Sequence, residues 1–222
     1  MTTTQIGGLP LSTALRATMF FLALFALAPS AAAQTEVFAG NRFGAFRSSL
    51  SGDGITSSES EDIGMPFNLM LGVQVGRVIG LQAEVNVTER GGSSVVGNGV
   101  DFGTPDVSIG YIEIPVLVRA QVPVRSGPYA AVFAGPALAF RSGRSDLSER
   151  FSSTVLSGVA GGELGVMAFD GRAFVDVRYN LGVGSLLSDD AFGGSAPDVT
   201  ASGFALTLGG AANLSTLFGG SR

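Results

Sequence analysis

Residues 111–121, YIEIPVLVRAQ, alternate along their whole length. Ile112, Ile114, Val116, Val118 and Ala120 fall on one side of the pattern, and Tyr111, Glu113, Pro115, Leu117, Arg119 and Gln121 on the other. A period of two sends successive side chains to opposite faces of an extended chain, so the stretch predicts a β-strand with one aliphatic face. The opposite face carries full charges, at Glu113 and Arg119. Two more stretches read the same way. Leu81, Ala83, Val85 and Val87 alternate with Gln82, Glu84, Asn86 and Thr88, and Ala173, Val175, Val177, Tyr179 and Leu181 with Arg172, Phe174, Asp176, Arg178 and Asn180. Five weaker segments, rich in Gly and Ala, lie near 36–46, 64–75, 128–141, 156–169 and 203–214, and bring the set to eight.

The connections between these segments alternate in length. After the second, fourth and sixth strands they are short: Gly76 to Gly80, Pro123 to Gly127, and the pair Asp170-Gly171. Asp-Gly suits a two-residue hairpin turn in which both central residues adopt positive φ. After the first, third, fifth and seventh strands the connections are long, about 47–63, 91–107, 142–154 and 185–202, and rich in Ser, Gly and Asp. Strict alternation of tight turns and long loops is the pattern of an outer-membrane barrel. The predicted fold is all-β, an eight-stranded antiparallel up-and-down transmembrane β-barrel over residues 34–222. With an even strand number, both ends of that domain fall on the short-turn side.

Closure removes the unpaired strand edges that hydrocarbon does not tolerate. The lipid-facing set is then Leu69, Leu71, Val73, Val85, Ile114, Val116, Val118, Val175, Val177, Leu206 and Leu208. The lumen set holds Gln74, Glu84, Glu113, Arg119, Glu163, Asp176 and Arg178. Side chains fill an eight-stranded barrel, so charges inside it must pair. Glu84, Glu113, Glu163 and Asp176 are therefore expected to form a structural network with Arg119 and Arg178, with Arg42 or Arg141 as further cations. Which acid meets which arginine does not follow from spacing.

Residues 1–33 read as a secretory signal peptide. Arg16 precedes an apolar run from about Thr18 to Leu27, Pro29 breaks it, and Ala31-Ala32-Ala33 offers small residues for cleavage before Gln34. The run is about ten residues, against about 20 for a spanning helix, which weighs against a retained anchor. Beyond the leader there are 12 arginines, no lysine and 18 carboxylates, a net charge of −6. That balance argues against a nucleic-acid partner. Mean hydropathy is +0.40, with 33 Gly and 14% charged residues, as in a membrane protein or an unusually apolar β-protein.

The chain has no Cys and no His. Disulfides, thiolate metal sites and Ser–His or Asp–His catalysis are thereby excluded. No catalytic residue, cofactor site or metal site is assigned, and a non-enzymatic protein is expected. Glu84 and Glu113 could act as an acid–base pair, but lumen ion pairing accounts for both. The glycines of 158–165 lack the lysine and following helix of a phosphate loop, and are read as relieving crowding in a curved sheet. Carboxylates recur in all four long loops: Asp53, Glu59, Glu61 and Asp62; Asp101 and Asp106; Asp146 and Glu149; Asp189, Asp190 and Asp198. They lack calcium-loop spacing and are read as solvated loop residues that offer a surface to envelope partners.

The segment Tyr111-Ile112-Glu113-Ile114-Pro115-Val116-Leu117-Val118-Arg119 resembles the "Y-L-E-I-P-hydrophobic" strand of the bacterial outer-membrane porin-family, or PorT-like, proteins. Leu81-Gln82-Ala83-Glu84-Val85 is similar to that family's preceding "L-x-x-E-hydrophobic" strand. Tyr129 to Leu138, with Ala134-Gly135-Pro136, is similar to its following "G-x-G-P" strand. The resemblance implies an eight-stranded barrel of the OmpA/OmpX type, in outer-membrane lipid and without established enzymatic activity. One feature departs from it: such barrels commonly end on an aromatic residue, whereas here Gly219-Gly220-Ser221-Arg222 follow Phe218. Phe218 or Phe204 is then the candidate assembly signal. Four roles stay open at this point: a structural or surface-interaction barrel, a small-solute channel, a secretion-apparatus accessory subunit and a soluble periplasmic lipocalin-like carrier.

Overall fold

The structure is a computed structural model, and it describes residues 35–52, 67–76, 78–92, 96–97, 100–101, 107–122, 127–142, 151–187 and 198–218. The leader, and most of the acidic loop residues named above, lie outside these.

Alternation becomes strand wherever it was read. The elements are β1 (Thr35–Gly52), β2 (Phe67–Val75), β3 (Ile79–Gly92), β4 (Val96–Gly97), β5 (Val100–Asp101), β6 (Val107–Val122), β7 (Pro128–Ser142), β8 (Thr154–Ala168), β9 (Gly171–Gly182), β10 (Val199–Asn213) and a terminal turn of helix, α1 (Leu214–Phe218). Eight strands close in the order β1-β10-β9-β8-β7-β6-β3-β2, every pair antiparallel; β4 and β5 form a separate small hairpin between β3 and β6. No edge is left in the barrel. β1 and β10 seal it, with Phe38 opposite Asn213 and Gly52 opposite Val199. Both strands therefore have their terminal ends on the short-turn side, where α1 accepts the backbone N–H of Val37 on Ser215 Oγ at 2.9 Å.

All eleven residues assigned to the lipid side point outward, and none of them belongs to the buried core. The outer surface is apolar on every strand: Leu164 is 69% exposed, Val132 63% and Val118 57%. A continuous apolar belt of this kind is far beyond what a water-soluble surface carries. No described helix is long and apolar enough to cross a membrane; the crossing is made by strands.

Two sequence expectations are corrected. The last tight turn is Phe169–Asp170, because Ala168 pairs directly with Gly171 and the glycine opens β9. Positive φ falls on Phe169 (52°), where a glycine would be unstrained. The shift moves the β8–β9 pairing by two residues and leaves the facing of both strands unchanged; in the observed register Phe174 stands opposite Gly165, where a turn one residue later would place it opposite Met167. Second, β1 runs on to Gly52 and β10 begins at Val199, so residues 47–52 and 199–202 belong to the barrel wall. The outward face there is polar (Arg47, Ser49, Ser51; Thr200, Ser202) while Ser48, Val199 and Ala201 face inward, so the aliphatic-outside pattern read along the other strands is lost where the wall leaves the apolar belt.

Candidate functional site in the barrel lumen

The inner wall is built from the second face of every strand, and aromatic rings standing over glycines shape it. Phe38 pairs with Gly72, Phe133 with Gly161, Tyr129 with Gly165 and Phe174 with Gly209, each directly across a ladder. A Cβ at any of these glycines would collide with the facing ring, and one at Gly203 would collide with Phe46. The rings thus lie flat along the wall. At the short-turn end Phe38, Met70, Tyr129, Ala131, Phe174 and Ala211 pack together. At mid-height Leu117, Phe133, Ala137 and Val159 form a second apolar cluster.

Between and beside these clusters sit two groups of ion pairs. In the first, Arg42 bridges Glu84 and Asp176, donating to Asp176 Oδ2 at 2.6 Å and to Glu84 Oε1. Arg178 bridges the same two acids, with Nη1 2.9 Å from Glu84 Oε2 and Nε 3.1 Å from Asp176 Oδ1. Asn68 Nδ2 and Gln82 Nε2 also donate to Glu84, at 2.9 and 2.5 Å. All four carboxylate oxygens are therefore occupied by N–H donors. In the second group Arg119 Nη2 lies 2.6 Å from Glu163 Oε1, which also accepts the Tyr129 hydroxyl at 2.5 Å. Arg119 Nη1 donates to Gln121 at 2.6 Å and to Gln74 at 3.4 Å.

Glu84, Glu113, Glu163, Asp176, Arg119, Arg178 and Arg42 face inward and are buried, whereas Arg141 is half-buried. Glu84, Asp176 and Arg178 come together, joined by Arg42. Glu163 is the acid beside Arg119. Glu113 is fully buried and accepts from Ser157 Oγ at 3.4 Å, while Arg141 donates to the carbonyl of Phe151. Asp176 and Glu163 stand directly opposite each other on β9 and β8. Two adjacent anions in a low-dielectric interior repel, and Arg178 and Arg119 on their flanks offset that repulsion.

Three features were not read from the sequence. Arginines stack on lumen aromatics: Arg172 over Phe38 at 3.8 Å, Arg178 over Phe133 at 5.1 Å, and Arg119 over Tyr129 at 5.5 Å, all within cation–π range. Asn68, Gln82 and Gln121 complete the ion-pair shells; Gln82 and Gln121 lie on the charged face of their strands, which is the signal that could have found them. Finally, the segment after β9 folds back over the long-loop end. Leu186 packs with Tyr111, Ala139, Val155 and Ala201, and Phe151 bridges to Leu187. Ser152 N–H donates to the Leu186 carbonyl at 2.8 Å and Leu186 N–H to that of Val199 at 2.7 Å. No alternation marks such a segment, because it belongs to no ladder of the barrel. No cluster of carboxylates suited to a metal ion occurs among the described residues.

No known family model matches the sequence, and no characterised protein matches it. Among solved structures the chain is similar to Neisserial surface protein A, at 12% identity over 81% of this chain and 96% of that one, with a TM-score of 0.49. It is also similar to the N-terminal β-barrel domain of Pseudomonas aeruginosa OprF (11% identity, 81% and 99% covered, TM-score 0.45). A third is the outer membrane protein OprG of the same organism (11% identity, 80% and 94% covered, TM-score 0.44). By its own topology, apolar outside and ion-paired inside, the chain is an eight-stranded antiparallel up-and-down transmembrane β-barrel.

Proposed function

We propose that this protein is a non-enzymatic outer-membrane barrel with a structural or surface-interaction role, exported with a leader cleaved before Gln34 and presenting its acidic loops to envelope or surface partners. The filled interior carries this reading. Arg42, Arg119, Tyr111, Leu117, Gln82, Glu84, Glu113 and Asp176 are all fully buried, so ion pairs and rings occupy the space a water-filled pore would need. The lumen carboxylates that could serve as acid and base are held by arginines, amides and hydroxyls, and the lumen holds no histidine to take a proton at neutral pH. With the inside committed to stability, the long loops are the surface left for recognition.

Fractionation and conductance test it together. The mature protein should be recovered from washed outer membranes with Gln34 at its N-terminus, and the purified barrel should conduct no ions across a planar bilayer. Recovery only in the soluble periplasm overturns the localisation. Steady conductance replaces the structural role by a small-solute channel.

A further inference from the structure

The outer wall carries an amide in the middle of its apolar belt. Along β1 the outward positions are Val37, Ala39, Asn41, Phe43 and Ala45, before Arg47, Ser49 and Ser51 leave the belt. Asn41 is the central one, and it is exposed. At a rise of about 3.3 Å per residue and a tilt of about 40°, it lies about 10 Å from either end of this run. Its ladder neighbours stand at the same depth. Asn41 pairs with Leu69 on β2 and Gly210 on β10, and each of these has further apolar outward positions on both sides: Phe67 and Leu71, Leu208 and Ala212. Among the described residues, the outward positions of the other strands within the belt are aliphatic, aromatic, Gly, Ala or Pro.

An amide in hydrocarbon is costly, because acyl chains neither donate nor accept. The outward neighbours of Asn41, namely Ala39, Phe43, Leu69 and Gly210, carry no polar side-chain atom, and the amide points away from the polar lumen. What satisfies it must come from outside the barrel. Gly210, directly beside it, is a second and independent sign. Most glycines of the wall are required from within: a Cβ on the adjacent Gly209 would collide with Phe174. A Cβ on Gly210 would meet nothing closer than the Arg172 carbonyl oxygen, at 3.5 Å, so the barrel itself does not demand glycine there. A glycine inside a strand weakens it, and often marks a place where another backbone comes close. Ala39 and Ala212 extend the same shallow surface toward the short turns. Gly158 and Gly162 on β8 are comparably free, but no amide stands beside them.

We propose that the outer face of β1 and β10 around Asn41 and Gly210 is the interface of a symmetric dimer within the membrane, its occupant a second copy of this chain. An amide is complementary to itself: each Asn41 donates one N–H to the carbonyl oxygen of the other, and both are satisfied. A two-fold axis along the membrane normal brings a residue opposite its own copy, so one amide per chain suffices. Small residues allow the two walls to approach, and a polar side chain then fixes the contact, which is how segments associate where lipid removes the hydrophobic driving force.

The test is energy transfer between copies in phosphatidylcholine vesicles at increasing lipid dilution. The chain has no Cys, so Ser221→Cys gives a single labelling position for donor or acceptor dye. Transfer should fall along a monomer–dimer isotherm. Asn41→Leu should raise the dissociation constant about tenfold, the effect of losing two hydrogen bonds inside a membrane. At high dilution the same variant should unfold at a higher urea midpoint, because leucine suits hydrocarbon better than an amide, and this separates lost association from lost folding. Asn41→Gln keeps the amide and should keep most of the transfer. Gly210→Leu should weaken association, and Ala160→Leu on β8 should leave it unchanged. Transfer no greater than chance proximity in the unsubstituted barrel overturns the proposal, and so does transfer that Asn41→Leu leaves intact.

Discussion

Arg119 and Glu163 offer the sharpest test of the lumen. Both side chains are buried, 1% and 2% exposed, with Nη2 and Oε1 2.6 Å apart. At an effective dielectric of about 20 their bare attraction is about 6 kcal/mol, most of it offset by withdrawing both ions from water. Removing one partner exposes that imbalance. Arg119→Met leaves Glu163 with the Tyr129 hydroxyl as donor and should cost about 3–5 kcal/mol. Glu163→Leu strands the guanidinium on Gln121 and Gln74 and should cost a similar amount. The double variant removes both charges, and its residual cost is the loss of partners for Tyr129 and Gln121, about 1–2 kcal/mol each. It should then be no less stable than the worse single variant, a coupling of about 3 kcal/mol or more. Reversible urea unfolding in lipid vesicles measures all three. Additive single effects, with coupling below about 0.5 kcal/mol, would refute the reasoning: the two charges would be solvated independently, and the lumen wet and open.

Three further outcomes follow from the wall. Val177→Arg, in the middle of the outward face of β9, should destabilise the barrel by about 2–4 kcal/mol in the same unfolding assay, and a neutral result would mean that face does not meet hydrocarbon. Gly72→Ala should cost about 1–3 kcal/mol by forcing Phe38 off the wall, whereas Gly158→Ala, with no atom within 4 Å of the new Cβ, should be close to neutral; equal effects would discount the ring-over-glycine packing. Phe169→Gly should gain about 1 kcal/mol by relieving positive φ in the short turn; a loss would show that the bilayer surface holds the exposed ring.

The sequence by itself determined the wall. Period-two alternation at 81–88, 111–121 and 172–181 assigns each residue to lipid or lumen, because a strand leaves only two faces. The rhythm of short and long connections determined strand number, closure and the side on which the chain ends meet. Both signals are local or nearly so. The interior was decided by the tertiary structure alone. Arg42 on β1 meets Glu84 on β3 and Asp176 on β9, and Arg119 on β6 meets Glu163 on β8, in each case over an intervening strand, while Arg178 on β9 reaches Glu84 on β3 across the bore. Such contacts depend on the tilt and stagger of the closed sheet, which strand patterns do not encode. The same holds for Gly161 under Phe133 and Gly165 under Tyr129, whose purpose appears only once the β7–β8 register is set. Where the apolar belt ends, at residues 47–52 and 199–202, hydropathy falls silent and the ladder of backbone hydrogen bonds alone continues the strand. The turn at Phe169–Asp170 was misplaced by one residue for a related reason: turn propensity is weak, and the cross-strand partners it sets, such as Gly165 opposite Phe174, appear only in the assembled ladder.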